Sequence, residues 1–177
     1  YRQNLQRHLA AQLNPERSMR SLLLLAALYH DTGTPAAAQR DIDGRIRFLN
    51  HENVGAQIVR NRGQAYRLSN LEVERLETIV RHHLRPLHLI KNEDLPSRRS
   101  IYRYFRDVDA AGVDICLLSL ADTLASYGSS LPQEVWARHI DVTRALLEAW
   151  WEQKEDQVSP PPLISGNDLI QLGLTPS

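Results

Sequence analysis

Apolar residues recur along this chain at intervals of three and four, the spacing of helices that bury one face, nearly from end to end. The pattern predicts a first helix running to about Leu13 and a second one starting at Asn14-Pro15. The second carries Leu22-Leu23-Leu24-Leu25-Ala26-Ala27-Leu28 and stops at Gly33 in a left-handed conformation. Alternation around Asp43-Gly44, over residues 39–48, reads as a short hairpin and is the one β signal. Asn50 caps a helix through Val54, Ile58 and Val59 that ends near Gly63. Ser69 with Glu72 forms a capping box ahead of Leu76, Ile79, Val80 and Leu84, and Pro86 closes that helix. Ser97 opens another, with Ile101, Phe105 and Val108 on one side. Residues 110–127 make the most buried-looking helix, stopped by Gly128, and Pro132 begins a long one reaching Trp150-Trp151. Residues 152–162, with three consecutive prolines, read as an extended linker, and residues 167–172 as a short helical tail. The fold class is all-α: a helical bundle with one short β-hairpin.

Composition narrows the picture. The 177 residues suffice for one domain with a short appendage, and a formal charge of zero gives no global field to attract nucleic acid. Only Lys91 and Lys154 are lysines; every other basic residue is arginine, whose planar fork suits phosphate. A GC-rich or heat-adapted genome yields the same bias. Cys116 stands alone, so no disulfide framework forms, which agrees with a reducing, cytoplasmic setting. No signal peptide and no apolar run near twenty residues is present, so no membrane partner is expected. The chain opens on Tyr1, and we read both ends as interior to a longer protein.

The candidate chemistry is a set of imidazoles and carboxylates spread over separate predicted helices: His30-Asp31, His51, His82-His83 and Asp122. These are groups that divalent cations of intermediate softness take as ligands. Asp122 lies within Leu120-Ala121-Asp122-Thr123-Leu124, where an unpaired buried carboxylate costs several kcal/mol. A metal or an arginine partner would relieve that cost. Arg99, Arg103 and Arg106 fall on one helix face beside Tyr102, a stripe that could follow an RNA backbone or be a solvated face paired with local acids. Trp136, Trp150 and Trp151 read as core or interface anchors.

The run Leu25-Ala26-Ala27-Leu28-Tyr29-His30-Asp31-Thr32-Gly33-Thr34-Pro35 resembles the signature of the HD superfamily of metal-dependent phosphohydrolases. Gly44-Arg45-Ile46-Arg47-Phe48 with His51-Glu52-Asn53-Val54-Gly55-Ala56 resembles its second block. Ile79-Val80-Arg81-His82-His83-Leu84-Arg85-Pro86 resembles the third, and Leu120-Ala121-Asp122 the last. More narrowly, the chain resembles the HD domain attached to bacterial tRNA nucleotidyltransferases (CCA-adding enzymes) and related poly(A) polymerases. The stretch from Pro160 to Leu174 resembles the start of the RNA-binding region that follows it in those proteins.

The resemblance implies an HD domain over residues 1–151, then a Pro-rich linker and the start of a C-terminal RNA-binding region over 152–177. A nucleotidyltransferase head would precede it, whose Gly-Ser motif and paired catalytic aspartates this chain lacks. His30, Asp31, His51 and Asp122 are the implied ligands of a divalent ion (Mg, Mn, Ni, Co, Fe or Zn), with Asp31 as the bridge if two bind. One of His82 and His83 joins them; neighbours on a helix diverge by about 100°, and His82 is favoured. Asp31, His82 and His83 carry the implied catalytic roles, while Arg81, Arg85, Arg99, Arg103 and Arg106 would hold phosphate or RNA. Two departures stand out. Thr34 replaces the usual lysine of a Gly-Lys-Pro turn, and the family's upstream histidine is matched only by His8, in an unlike setting, so we expect that ligand before Tyr1 and an incomplete metal site in this chain. The implied function is hydrolysis of phosphoesters on nucleotides or RNA ends. The alternative is a non-catalytic helical module that holds tRNA for the head.

Overall fold

The computed structural model describes residues 1–90 and 95–160. Helix α1 (Arg2–Ala10) comes first. Strands β1 (Gln12–Asn14) and β2 (Arg17–Ser18) then pair antiparallel, where the sequence predicted the end of one helix and the start of the next. The reason is Asn14, whose Oδ1 accepts from the amides of Glu16 and Arg17 and so draws the backbone into a turn. Helix α2 (Met19–Tyr29) therefore starts later than predicted, with the Ser18 hydroxyl accepting from the Ser21 amide at its N-terminus.

A short helix α3 (Thr34–Ala37) leads into the predicted hairpin of β3 (Gln39–Arg40) and β4 (Ile46–Arg47), turned by Gly44 at φ +79°. Helix α4 (His51–Ala65) runs past Gly63. Asn50 precedes it in the left-handed region, and its side chain bonds Asn53 rather than capping a backbone amide. The Ser69–Glu72 capping box opens α5 (Asn70–His82) as predicted. Helices α6 (Arg85–His88), α7 (Arg98–Val108), α8 (Ala111–Tyr127) and α9 (Gln133–Glu152) complete the bundle. Residues 154–158 form a π-helical turn, not extended linker, because Val158 buries itself in the core. The stretch from Pro160 to Leu174 that resembles the start of an RNA-binding region lies, apart from Pro160, outside the described residues.

Helix α8 is the spine. Val113, Ile115, Cys116 and Leu118, spread around its axis, are buried among α5, α7 and α9, in a core shared with Leu22, Leu76, Ile79, Tyr104 and Leu146. Each such aliphatic side chain removed from water contributes roughly 1.5–3 kcal/mol. Trp150 stacks on Phe105 with centroids 5.1 Å apart, and Trp151 meets Tyr1 at 5.4 Å, so both anchor α9. Burial pushes the Cys116 thiol up to about 12, so it is a packing residue and not a nucleophile. No helix among the described residues is long and apolar enough to cross a membrane.

Candidate metal centre

The bundle brings three helix termini and one helix face to a common point. His30 is the residue on which α2 ends, and Asp31 follows it at once. His51 is the first residue of α4, His83 ends α5, and Asp122 lies on α8. Gly33 lets the Asp31 turn approach α4: a Cβ there would stand 2.0 Å from the His51 carbonyl oxygen and 2.5 Å from the Gly55 nitrogen. Its φ is −77°, so the glycine serves close approach and not the left-handed stop expected from the sequence.

Asp31 faces two groups of ligand atoms. Its Oδ1 is 3.3 Å from His51 Nε2 and 3.7 Å from His83 Nε2. Its Oδ2 is 3.6 Å from His30 Nε2, which in turn is 3.4 Å from Asp122 Oδ1. Asp31, His51 and His83 each offer a ligand atom within 4.8 Å of the others.

Every imidazole of the set is anchored in the same way. His30 Nδ1 donates to the Ala27 carbonyl at 2.8 Å, His51 Nδ1 to Phe48 at 2.9 Å, and His83 Nδ1 to Val80 at 2.7 Å. A carbonyl can only accept, so in each neutral ring the Nε2 lone pair is aimed at the cluster. This is the arrangement that orients ligating histidines in metal sites. Among the described residues, Nε2 of His30 and of His83 are buried without a hydrogen-bond partner, which fits nitrogens placed to ligate a cation. Burial, aided by His30 and His51, also lowers the pKa of His83, favouring its neutral, ligating form.

His82 does not join this cluster. It lines a separate cleft with Glu52, Arg81 and Arg85, where burial and the two guanidiniums lower its pKa. Of the two adjacent histidines it is His83 that the last turn of α5 brings to Asp31 and His51. Arg81 bonds Asn53 and Glu77, and Arg85 bonds Asp107. Arg99, Arg103 and Arg106 lie on the exposed face of α7, Arg106 paired with Asp107.

Asp122 retains 21% of its side-chain exposure, so its desolvation is milder than the flanking leucines implied. The buried carboxylate of α8 is instead Asp114, fully enclosed and held by Arg75 Nη2 at 2.6 Å and His8 Nε2 at 2.8 Å. His8 is thereby occupied two helical turns away from Asp122 along α8. Sequence reading passed over Asp114, although its apolar setting in Val113-Asp114-Ile115-Cys116 carries the same signal as that of Asp122.

The profile of the HD domain family matches residues 4–126. A CC-adding tRNA nucleotidyltransferase from Thermus thermophilus is 33% identical over 150 residues, which cover 84% of this chain and 30% of that protein. An A-adding tRNA nucleotidyltransferase from Deinococcus radiodurans is 32% identical over 157 residues, covering 88% of this chain and 34% of that protein. The chain therefore spans about a third of the length of these curated relatives.

Proposed function

The chain belongs to the HD domain family, and from that premise we propose that its His/Asp cluster binds one or two divalent cations and hydrolyses phosphoesters of nucleotides or RNA ends. The observation that carries this reading is the pair of buried, unpartnered Nε2 atoms of His30 and His83 converging on Asp31. His51 and His83 would hold a cation against Asp31 Oδ1, and His30 and Asp122 a second against Oδ2. Three imidazoles and two carboxylates favour ions between manganese and zinc over magnesium or calcium.

A cation bound there supplies Lewis-acid polarisation of a phosphoryl oxygen and acidifies water. The remaining work belongs to the chain. Asp31, 57% exposed, opens the cluster to solvent and is the carboxylate placed to orient an attacking water. Hydrolysis joins the water oxygen to phosphorus and breaks the bond to the leaving alcohol. One water proton ends on that alcohol and the other is lost from the phosphate side. Thr34 supplies no positive charge at the turn where relatives by resemblance carry lysine, so the arginines must meet any substrate phosphate.

The second reading, a helical module that holds tRNA for a nucleotidyltransferase head of the same polypeptide, is favoured by the exposed arginines of α7 and by the tRNA nucleotidyltransferase relatives. One experiment separates the two. Metal content and manganese-stimulated cleavage of bis(p-nitrophenyl) phosphate are measured on the native chain and on Asp31→Ala, with circular dichroism as the fold control. Hydrolysis with bound metal, both lost in the variant at unchanged helicity, supports the first reading. Equal activity in the variant, or no metal in either protein, overturns it.

A further inference from the structure

The first turn of α4, the last turn of α5 and helix α6 wall a second space beside the cluster, a cleft of about 200 Å³ lined by Leu84 and by the polar Glu52, Asn53, Arg81, His82, Arg85 and His88. It holds two guanidiniums and two imidazoles against one carboxylate. That carboxylate lies against the His51 ring on the edge away from the cluster, with Glu52 Oε2 3.6 Å from His51 Nδ1. The acids that pair with the arginines, Glu77 and Asp107, are not part of the lining, though Asp107 is near enough to act on His82. Arg81 spends one nitrogen on Asn53 Oδ1, at 2.7 Å, and another on Glu77. Arg85 spends one on Asp107 Oδ2, at 2.9 Å, and reaches the Arg103 carbonyl at 3.4 Å. A guanidinium has five N–H donors, so each keeps donors for a ligand. The side chains of His82 and His88 make no hydrogen bond among the described residues.

Preset guanidiniums flanked by free imidazoles form the donor set that planar, bidentate phosphate recognition uses. We infer that this cleft is a second anion subsite, taking a phosphoryl group of the substrate other than the one that reacts beside Asp31. The substrate class is then a molecule with two phosphoryl groups, either a nucleoside bisphosphate or a phosphorylated RNA end. The inference rests on the phosphohydrolase reading of the neighbouring cluster.

The test is binding, read separately from catalysis. Inorganic phosphate, adenosine 3′-phosphate and adenosine 3′,5′-bisphosphate are titrated into zinc-loaded protein while the imidazole resonances of His82 and His88 are followed by NMR. Saturable shifts at both residues are expected. The bisphosphate should bind at least tenfold tighter than the monophosphate, a preference that His82→Gln with His88→Gln removes. A 3′-phosphorylated trinucleotide binding tighter than the bisphosphate assigns the subsite to an RNA end, and the reverse order to a mononucleotide. Shifts confined to His30, His51 and His83, or none at all, overturn the subsite. If His82 and His88 respond but no hydrolysis occurs under any metal, the subsite stands and the phosphohydrolase reading fails.

Discussion

His83 Nε2 lies 3.7 Å from Asp31 Oδ1, while His82, its neighbour in the chain, faces a different cleft. The two histidines therefore separate cation binding from its surroundings. We expect His83→Gln to weaken manganese binding by at least the roughly 10–100-fold that follows from disturbing a ligand's support. His82→Gln should leave it within about twofold. Isothermal titration of chelator-stripped protein measures both, and equal losses would refute the assignment.

Gly33 is the contact through which the Asp31 turn leans on α4. Gly33→Ala forces a Cβ against backbone atoms that cannot rotate away, so one segment must shift. The expected loss is about 1–3 kcal/mol in denaturant unfolding, the usual range for overpacking. Because the shift moves Asp31 relative to His51, cation affinity should fall as well, and the two losses should appear together.

Glu72 ties the β1–β2 hairpin to α5. Its carboxylate is bonded by Arg17 Nε at 2.7 Å and by Asn14 Nδ2 at 2.9 Å, and Ser69 contributes its amide and hydroxyl. Arg17 foremost, with the Ser69 bonds, holds its pKa down at about 2. A carboxyl whose folded pKa is depressed stabilises the fold above its ordinary value, and that contribution is lost as pH falls from about 4.5 toward 2. Glu72→Gln should cost on the order of 2 kcal/mol at pH 7, with the gap to the native chain closing through that window. A gap that stays constant from pH 7 to pH 2.5 would contradict this account.

The arginine face of α7 offers an independent test of RNA holding. Replacing Arg99, Arg103 and Arg106 by alanine should weaken tRNA binding and lower the slope of log affinity against log salt by roughly one unit for each phosphate contact removed. Unchanged affinity and slope in filter binding would dismiss the face as solvated surface.

Much of this molecule could be read before folding because its signals are local. The Ser69–Glu72 box, the Asp43-Gly44 turn and the leucine stripe of α2 act within one or two turns of chain, and each stands where its pattern put it. The β1–β2 pair went unseen because Asn14-Pro15 is equally a helix start and a turn. Only the reach of Asn14 Oδ1 to the Glu16 and Arg17 amides decides between them. The members of the cluster were visible as residue types, whereas their arrangement was not. Which of two adjacent histidines turns inward depends on where α5 ends, and that is set by packing beyond the local pattern. Asp114 drew no notice because its partners His8 and Arg75 come from distant elements.

His30 and His83 also act as the stop residues of α2 and α5, since their Nδ1–H groups take up the carbonyls of Ala27 and Val80 in the last turn of each helix. The atoms that punctuate two helices thus belong to the same rings that face Asp31. Loading the rings through Nε2 would restrain them, and with them the last turns of both helices. Amide hydrogen exchange should accordingly slow at the C-termini of α2 and α5 when a cation binds, while the far ends of those helices, at Met19 and Asn70, keep their rates.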